Sequence, residues 1–253
     1  MIKGLDAFTK AFADWTDQYV LIGGTAATLT MQDQGLKFRA TKDLDVVLIV
    51  EALTADFGRA FWDFIKSGGY EIQQASETGK RSFYRFIKPS DASFPVMIEL
   101  FARAPDALRP IAEGHLTPIP LDEDLSSLSA ILLDDEFYAF ILDDRTVRDG
   151  LVWVNETRLI PLKAAAWVDM TDRRRQGAQI DSDSIRKHGL DILRLSQLLS
   201  EGATVTVAGR VEEALRRFLA EFPADAPPDP KTLKINAKLD DILGRVAAGF
   251  GLA

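Results

Sequence analysis

Two stretches decide how this chain is read: Tyr19-Val20-Leu21-Ile22-Gly23-Gly24-Thr25-Ala26-Ala27, and Arg39-Ala40-Thr41-Lys42-Asp43-Leu44-Asp45 with the run Val46 to Val50 behind it. The apolar segment Tyr19 to Ile22 predicts a short buried strand that breaks at the glycine pair, and Thr25 to Met31 predicts a helix starting directly after it. Asp45 to Val50 is rich in β-branched residues and predicts a covered strand, entered through Asp43 and Asp45. Strand side chains alternate, so two aspartates at i and i+2 share one face, about 7 Å apart along the chain. Strand, tight glycine turn, helix and carboxylate-tipped strand therefore follow one another within about thirty residues.

Working outward, Leu5, Phe8, Phe12 and Trp15 recur at helical spacing and predict a first helix. A helix with Phe57, Phe61 and Phe64 as its core stripe follows the aspartate strand and ends at Gly68-Gly69. Strands are expected over Tyr70 to Gln74, Ser82 to Ile87 and Pro95 to Phe101, the first two joined by a polar turn around Thr78, Gly79 and Lys80. Residues 104–160 hold short strand-like runs at Leu132, Phe137 to Leu142 and Leu151 to Val154, cut by acidic clusters, and read as a β-rich extension. From Pro161, placed as a first-turn proline, the periodicity becomes helical: Ala164 to Met170, Ser184 to Leu199, Arg210 to Phe222 and Thr232 to Val246, with a proline-rich connector from Pro223 to Pro230. The expected division is a sheet-bearing part over 1–160 and a helical part over 161–253.

Composition narrows the chemistry. There is no cysteine and there are two histidines, His115 and His188, so thiolate and multi-histidine metal centres are excluded and a bound metal would be a hard, oxygen-ligated ion such as magnesium or manganese. No apolar run approaches the roughly 18 residues of a membrane span, and no secretory h-region is seen at the N-terminus, so a soluble, cytoplasmic protein is expected. The net charge of −8 argues against a surface coated for phosphate. Residues 104–160 carry 4 basic and 12 acidic side chains (4 − 12 = −8), whereas 161–200 carry 7 basic and 5 acidic (7 − 5 = +2), so a polyanion should meet the later segment.

Asp43 and Asp45 on one face repel each other unless a cation lies between them, the arrangement that metal-assisted phosphoryl transfer uses; the plainer reading is a solvated strand start. Gly23-Gly24 allows close backbone approach and leaves helix N-terminal N–H groups for phosphate, or is simply a turn. Glu99 interrupts the apolar run Val96 to Phe101, either as a third site carboxylate or as a strand-edge glutamate paired with an arginine such as Arg103. Lys163 is the only charge between Leu159 and Val168, free either to snorkel or to neutralise a triphosphate. Lys187, Asp191 and Arg194 share a helical face, which also describes an ordinary ion-pair ladder. Arg173-Arg174-Arg175 reads as a solvated cluster or a grip on RNA phosphates, and nothing in its spacing marks His188 as a ligand or base.

Together these stretches resemble the AbiEii/AbiGii-type nucleotidyltransferases of the DNA polymerase β-like superfamily, which include toxins of toxin–antitoxin and phage-abortive systems. Leu21 to Ala27 is similar to the family's first motif, Arg39 to Asp45 to its Arg-x-Thr-x-Asp-x-Asp metal motif, Pro161 to Trp167 to its third motif and Lys187 to Asp191 to its fourth. Many members have Lys-Asp where this chain has Lys187-His188, so only Lys187 and Asp191 carry over from that motif.

The resemblance implies an α+β fold: a nucleotidyltransferase-type mixed β-sheet domain with flanking helices, a β-rich insertion and a C-terminal helical bundle. It implies transfer of a nucleoside monophosphate from an NTP to a hydroxyl acceptor, with magnesium or manganese held by Asp43, Asp45 and Glu99. Gly23, Gly24, Thr25, Thr41, Lys163 and Lys187 would contact the NTP, and Glu99 or Asp191 would orient or deprotonate the acceptor. The acceptor of family toxins is often a tRNA 3′ end, and a cognate antitoxin is the implied protein partner. Other possibilities are a small-molecule or protein acceptor, or a silent nucleotide-binding module.

Overall fold

A computed structural model describes residues 2–73, 83–102, 131–132, 134–225 and 227–252. The chain forms two compact units, one drawn from Met1–Gln32, Arg39–Leu121 and Arg145–Val154, the other from Asp33–Phe38, Asp122–Asp144 and Asn155–Ala253.

The first unit is built on a seven-stranded mixed sheet. Its strands are β1 (Tyr19–Ile22), β2 (Asp43–Leu48), β3 (Glu71–Gln73), β4 (Phe83–Ile87), β5 (Met97–Phe101), β6 (Thr146–Arg148) and β7 (Leu151–Trp153), in the order β3-β4-β5-β2-β1-β7-β6. β2 runs antiparallel to β1 and parallel to β5, while β4 is antiparallel to β5. Three helices serve this sheet: α1 (Leu5–Phe12), α2 (Gly23–Asp33) and α3 (Ala55–Gly68).

The aromatic stripes of α1 and α3 bury against each other and against β1 and β4. Phe12 touches Phe57, Phe61 and Phe64, Phe8 meets Tyr19 edge-on, and Phe61 meets Phe86, with ring centroids 5.2–6.0 Å apart. Such offset and edge contacts each add about 0.5–1.5 kcal/mol beyond the area they bury. Thr54 caps α3 by accepting the Phe57 N–H at 3.2 Å, and buried Gln18 accepts the Thr54 N–H at 2.8 Å, tying the helix start to the start of β1. Gly69 ends α3 in the left-handed region, as the glycine pair predicts.

The second unit is helical: α4 (Asp135–Asp143), α5 (Glu156–Arg175), α6 (Ser182–Leu195), α7 (Gly209–Glu221) and α8 (Leu239–Gly249), with short 3-10 turns at Ser196–Leu198, Phe222–Asp225 and Pro230–Leu233. Every residue from Arg158 to Val168 is buried, so α5 is the central helix of its unit. Trp167 packs edge-on against Phe218 and Phe222. Arg217 forms a two-pronged ion pair with Asp172 at 2.7 and 2.8 Å. The α+β architecture, mixed sheet with flanking helices and helical C-terminal part, is the one expected.

Three local expectations are corrected. The last helix, expected over Thr232 to Val246, runs over Leu239–Gly249, because the chain first closes a 3-10 turn at Pro230–Leu233 with Lys234 in the left-handed region. Phe137 to Leu142 lies in helix α4, not a strand: Asp134 caps it by accepting the N–H groups of Glu136 and Phe137, and acidic side chains at 135 and 136 suit the helix N-terminus. Ile131 and Leu132 are helical as well, while Leu151–Trp153 is a strand; most of the remaining β-rich reading, and Arg103, fall outside the described residues. Pro161 is not in a first turn, because Asn155 caps α5 by accepting the Thr157 N–H at 3.0 Å, so the proline sits inside the helix. A helix buried on all sides shows no 3.6-residue alternation, and the proline then reads as its start.

Candidate active site

The glycine turn and the aspartate strand are adjacent because β1 and β2 pair antiparallel, with Ile22 opposite Asp45. Gly23 follows at φ 64°, a left-handed conformation that turns the chain from β1 into α2 without a side chain in the way. A Cβ built on Gly23 would lie 1.7 Å from Asp45 Oδ2, and one on Gly24 would lie 2.7 Å from Thr41 Oγ1 and 3.7 Å from an Arg39 guanidinium nitrogen. The Asp45 carboxylate therefore rests on bare glycine backbone. Thr25, in the first turn of α2, donates its hydroxyl to the Asp43 carbonyl at 2.7 Å, pinning helix to strand.

On its other side β2 pairs with β5, which sets Asp45 opposite Glu99, and β5 pairs with β4, which sets Glu99 opposite Arg85. Directly opposed residues share a sheet face, so Asp45, Glu99 and Arg85 form a row across three strands, and Asp43 joins that face by alternation. Arg85 binds Glu99 Oε1 through Nε at 3.1 Å and a terminal nitrogen at 3.0 Å. Asp43 and Asp45 are half-buried; Glu99 is 6% exposed.

Burial, followed by the negative charge of Asp45 and a hydrogen bond to it, pushes the Glu99 carboxyl up to about 9 against the opposing pull of Arg85. A hydrogen bond joins the Glu99 and Asp45 carboxyl groups. Among the described residues, no three His, Asp or Glu side chains are grouped closely enough to form a ready-made metal site. The sheet face supplies the hydrogen-bonded pair Asp45–Glu99, with Asp43 two residues along β2. The arginine expected beside Glu99 is Arg85, from the neighbouring strand, and Glu99 lies on an interior strand rather than at an edge.

The expected site residues divide between the units. Gly23, Gly24, Thr25, Thr41, Asp43, Asp45 and Glu99 belong to the first, and Lys163, Lys187 and Asp191 to the second. Within the second, Lys163 Nζ lies 2.9 Å from Asp191 Oδ2, the two side chains being 6% and 0% exposed, and Arg194 approaches the other carboxylate oxygen at 3.4 Å. Lys187 is exposed one turn away. The stretches Pro161 to Trp167 and Lys187 to Asp191 thus meet in a buried ion pair, in which Asp191 has no surface open to an acceptor.

Arg85 is the residue that sequence reasoning missed. Its only signal was a charged side chain at an alternate position in a strand otherwise of Phe, Tyr and Ile.

No protein-family model and no curated protein matches this chain. One solved structure, described as the crystal structure of the Megavirus polyadenylate synthase, aligns with 89% of this chain and 44% of its own, at 9% identity and a TM-score of 0.28. The chain spans less than half the length of that protein, and a likeness so slight decides nothing about chemistry.

Proposed function

We propose that the face carrying Asp43, Asp45 and Glu99 beside the Gly23-Gly24 turn is the centre of a metal-dependent nucleotidyltransferase. The observation that carries this reading is the Asp45 carboxylate lying against Gly23, which joins an anionic strand to the glycine turn at the start of α2. The donor set suits magnesium or manganese: all donors are carboxylate oxygens, and burial, then the charge of Asp45, raises the Glu99 carboxyl, a load that a divalent ion would relieve. Asp43 and Asp45 would hold the ion, with Glu99 as a further ligand. Once bound, the ion would neutralise charge on the phosphoryl group being transferred.

The residues of this chain then position the reactants. The glycine turn and the N-terminal N–H groups of α2 take phosphate oxygens, with the Thr41 hydroxyl flanking them, while buried Thr25 holds α2 to β2 through the Asp43 carbonyl. The acceptor hydroxyl oxygen bonds to the α-phosphorus of the NTP while the bond to the α–β bridging oxygen breaks, releasing pyrophosphate and passing the hydroxyl proton to solvent. Lys163, Lys187 and Asp191 belong to this proposal only as supports of the helical unit. The acceptor best matched to the basic stretch 161–200 is RNA, tRNA included, and the AbiEii/AbiGii likeness favours a toxin held in check by a protein antitoxin.

The test incubates each labelled NTP with magnesium or manganese and total RNA, protein or metabolites, beside an Asp43→Ala, Asp45→Ala protein. Label should pass to RNA from the native protein alone; label passed equally by the double variant removes the assignment. One observation favours a second reading, a nucleotide-binding module without turnover: the Lys163–Asp191 pair consumes two groups expected to serve catalysis. NTP bound with magnesium, but with no transfer to any acceptor pool, would select it.

A further inference from the structure

The second unit contains a cavity of about 740 Å³ between the end of α5, the start of α6 and the proline-rich turn after α7. Its wall includes Arg174 and Arg186, both exposed. Neighbouring Arg173, Arg175, Arg194 and Arg217 each have a carboxylate within 4 Å, whereas among the described residues Arg174 and Arg186 have none. Two guanidinium groups with no carboxylate within 4 Å among the described residues thus line one hollow in a chain whose net charge is −8, with Asp225 further along the same wall.

Two further features make this a built hollow. The Thr171 hydroxyl, on the same wall, is buried and has no hydrogen-bond partner among the described residues. A buried hydroxyl left unsatisfied is costly, so such a group calls for a partner. Beside Ser182 and the ion-paired Arg175, the lining has an apolar part that includes Ile185 from α6 and Pro227 and Pro228 from the turn. Inorganic phosphate would leave most of this volume unfilled. A nucleoside phosphate satisfies all three observations: phosphate oxygens on the two guanidinium forks, a sugar hydroxyl near Thr171 and the flat base against the apolar wall.

We infer that this cavity is a second nucleotide site, binding a nucleoside phosphate independently of the carboxylate face. The ligand is either a free nucleotide or one nucleotide of a single RNA strand, since both present the same phosphate, sugar and base. The inference does not rest on the proposed transferase activity.

The experiment titrates the full chain, in EDTA, with fluorescent AMP and with a labelled six-nucleotide RNA, following anisotropy. Arg174→Ala, Arg186→Ala should weaken binding about 100-fold or more, since each charge-assisted bond is worth about ten-fold or more. Lys at both positions should fall between, because charge is kept and the fork lost, and Thr171→Val should weaken binding by several-fold. Asp43→Ala, Asp45→Ala should leave the affinity unchanged, so the outcome is separate from that of the transfer assay. RNA displacing AMP at lower nucleotide concentration identifies a strand site, and the reverse a free-nucleotide site. No AMP or RNA binding, affinity indifferent to both arginines, or equal displacement by a polyglutamate peptide would each overturn the inference. Both arginines are exposed, and matching melting curves will show that the variants fold.

Discussion

Replacing Gly23 by alanine tests whether the Asp45 carboxylate rests on the glycine turn. Gly23 sits at φ 64°, where an L side chain costs about 1–2 kcal/mol from its own backbone alone. The added Cβ would fall 1.7 Å from Asp45 Oδ2 and 2.7 Å from its Cγ, far inside contact distance, so the carboxylate must leave and its hydrogen bond with Glu99 breaks. A bond involving a charged group is worth about 1.5–3 kcal/mol, for a total near 2.5–5 kcal/mol. In an Asp45→Ala background the offending oxygen is gone and the nearest remaining atom is the Cβ at 3.1 Å, a tight but tolerable contact. There Gly23→Ala should cost only the backbone part. A double-mutant cycle by urea unfolding should therefore give a coupling of about 1.5–3 kcal/mol between positions 23 and 45. A Gly23→Ala penalty equal in both backgrounds would refute the placement of the carboxylate over the turn.

Three other outcomes follow from the same geometry. Glu99 binds its proton more tightly folded than unfolded, so its contribution to stability is complete below the unfolded value near 4.5 and is lost as pH rises toward 9. Native stability measured from pH 5 to 8 should fall relative to Glu99→Gln by up to about 1.4 kcal/mol per pH unit, the slope for one proton; parallel profiles would show that Glu99 is ionised. Lys163→Met should destabilise the helical unit by about 3–5 kcal/mol by taking from the buried Asp191 its nearer cation, leaving Arg194 at 3.4 Å, and Lys163→Met, Asp191→Leu should recover most of it in thermal unfolding; a double variant no more stable than the single one would refute a stabilising buried pair. Thr25→Val removes the hydroxyl that holds the Asp43 carbonyl and should cost about 1 kcal/mol, read from the urea midpoint, whereas an unchanged midpoint would mean the 2.7 Å bond contributes nothing.

What could be read from the sequence was local. Tyr19 to Ile22, the glycine break and the Phe57, Phe61, Phe64 stripe each announce one element through neighbours a few residues apart, and each element forms where expected. The Phe137 to Leu142 run was mistaken for a strand because its apolar residues are nearly contiguous. Its helix signal lay just outside, in the cap Asp134 and the acidic pair after it, with Phe137, Tyr138 and Ile141 making the buried face. Pro161 misled for a related reason: with solvent on no side of α5 from Arg158 to Val168, no polar stripe marked where that helix began.

The carboxylate face divides along the same line. That Asp43 and Asp45 share a side follows from alternation within one strand, and their nearness to Gly23 needs only that β1 and β2 form a neighbouring antiparallel pair. The state of Glu99 depends on β5 lying between β2 and β4, a strand order that no spacing along the chain encodes. Placed at an edge, Glu99 would be a solvated carboxylate with an ordinary affinity for protons. Placed inside, with Asp45 on one flank and Arg85 on the other, it sits between a charge that favours its proton and one that opposes it, and burial tips the balance toward keeping it. The chemistry of the face is thus set by which strand stands beside which, and the smallest change able to test that order is the exchange of one oxygen for an amide at position 99.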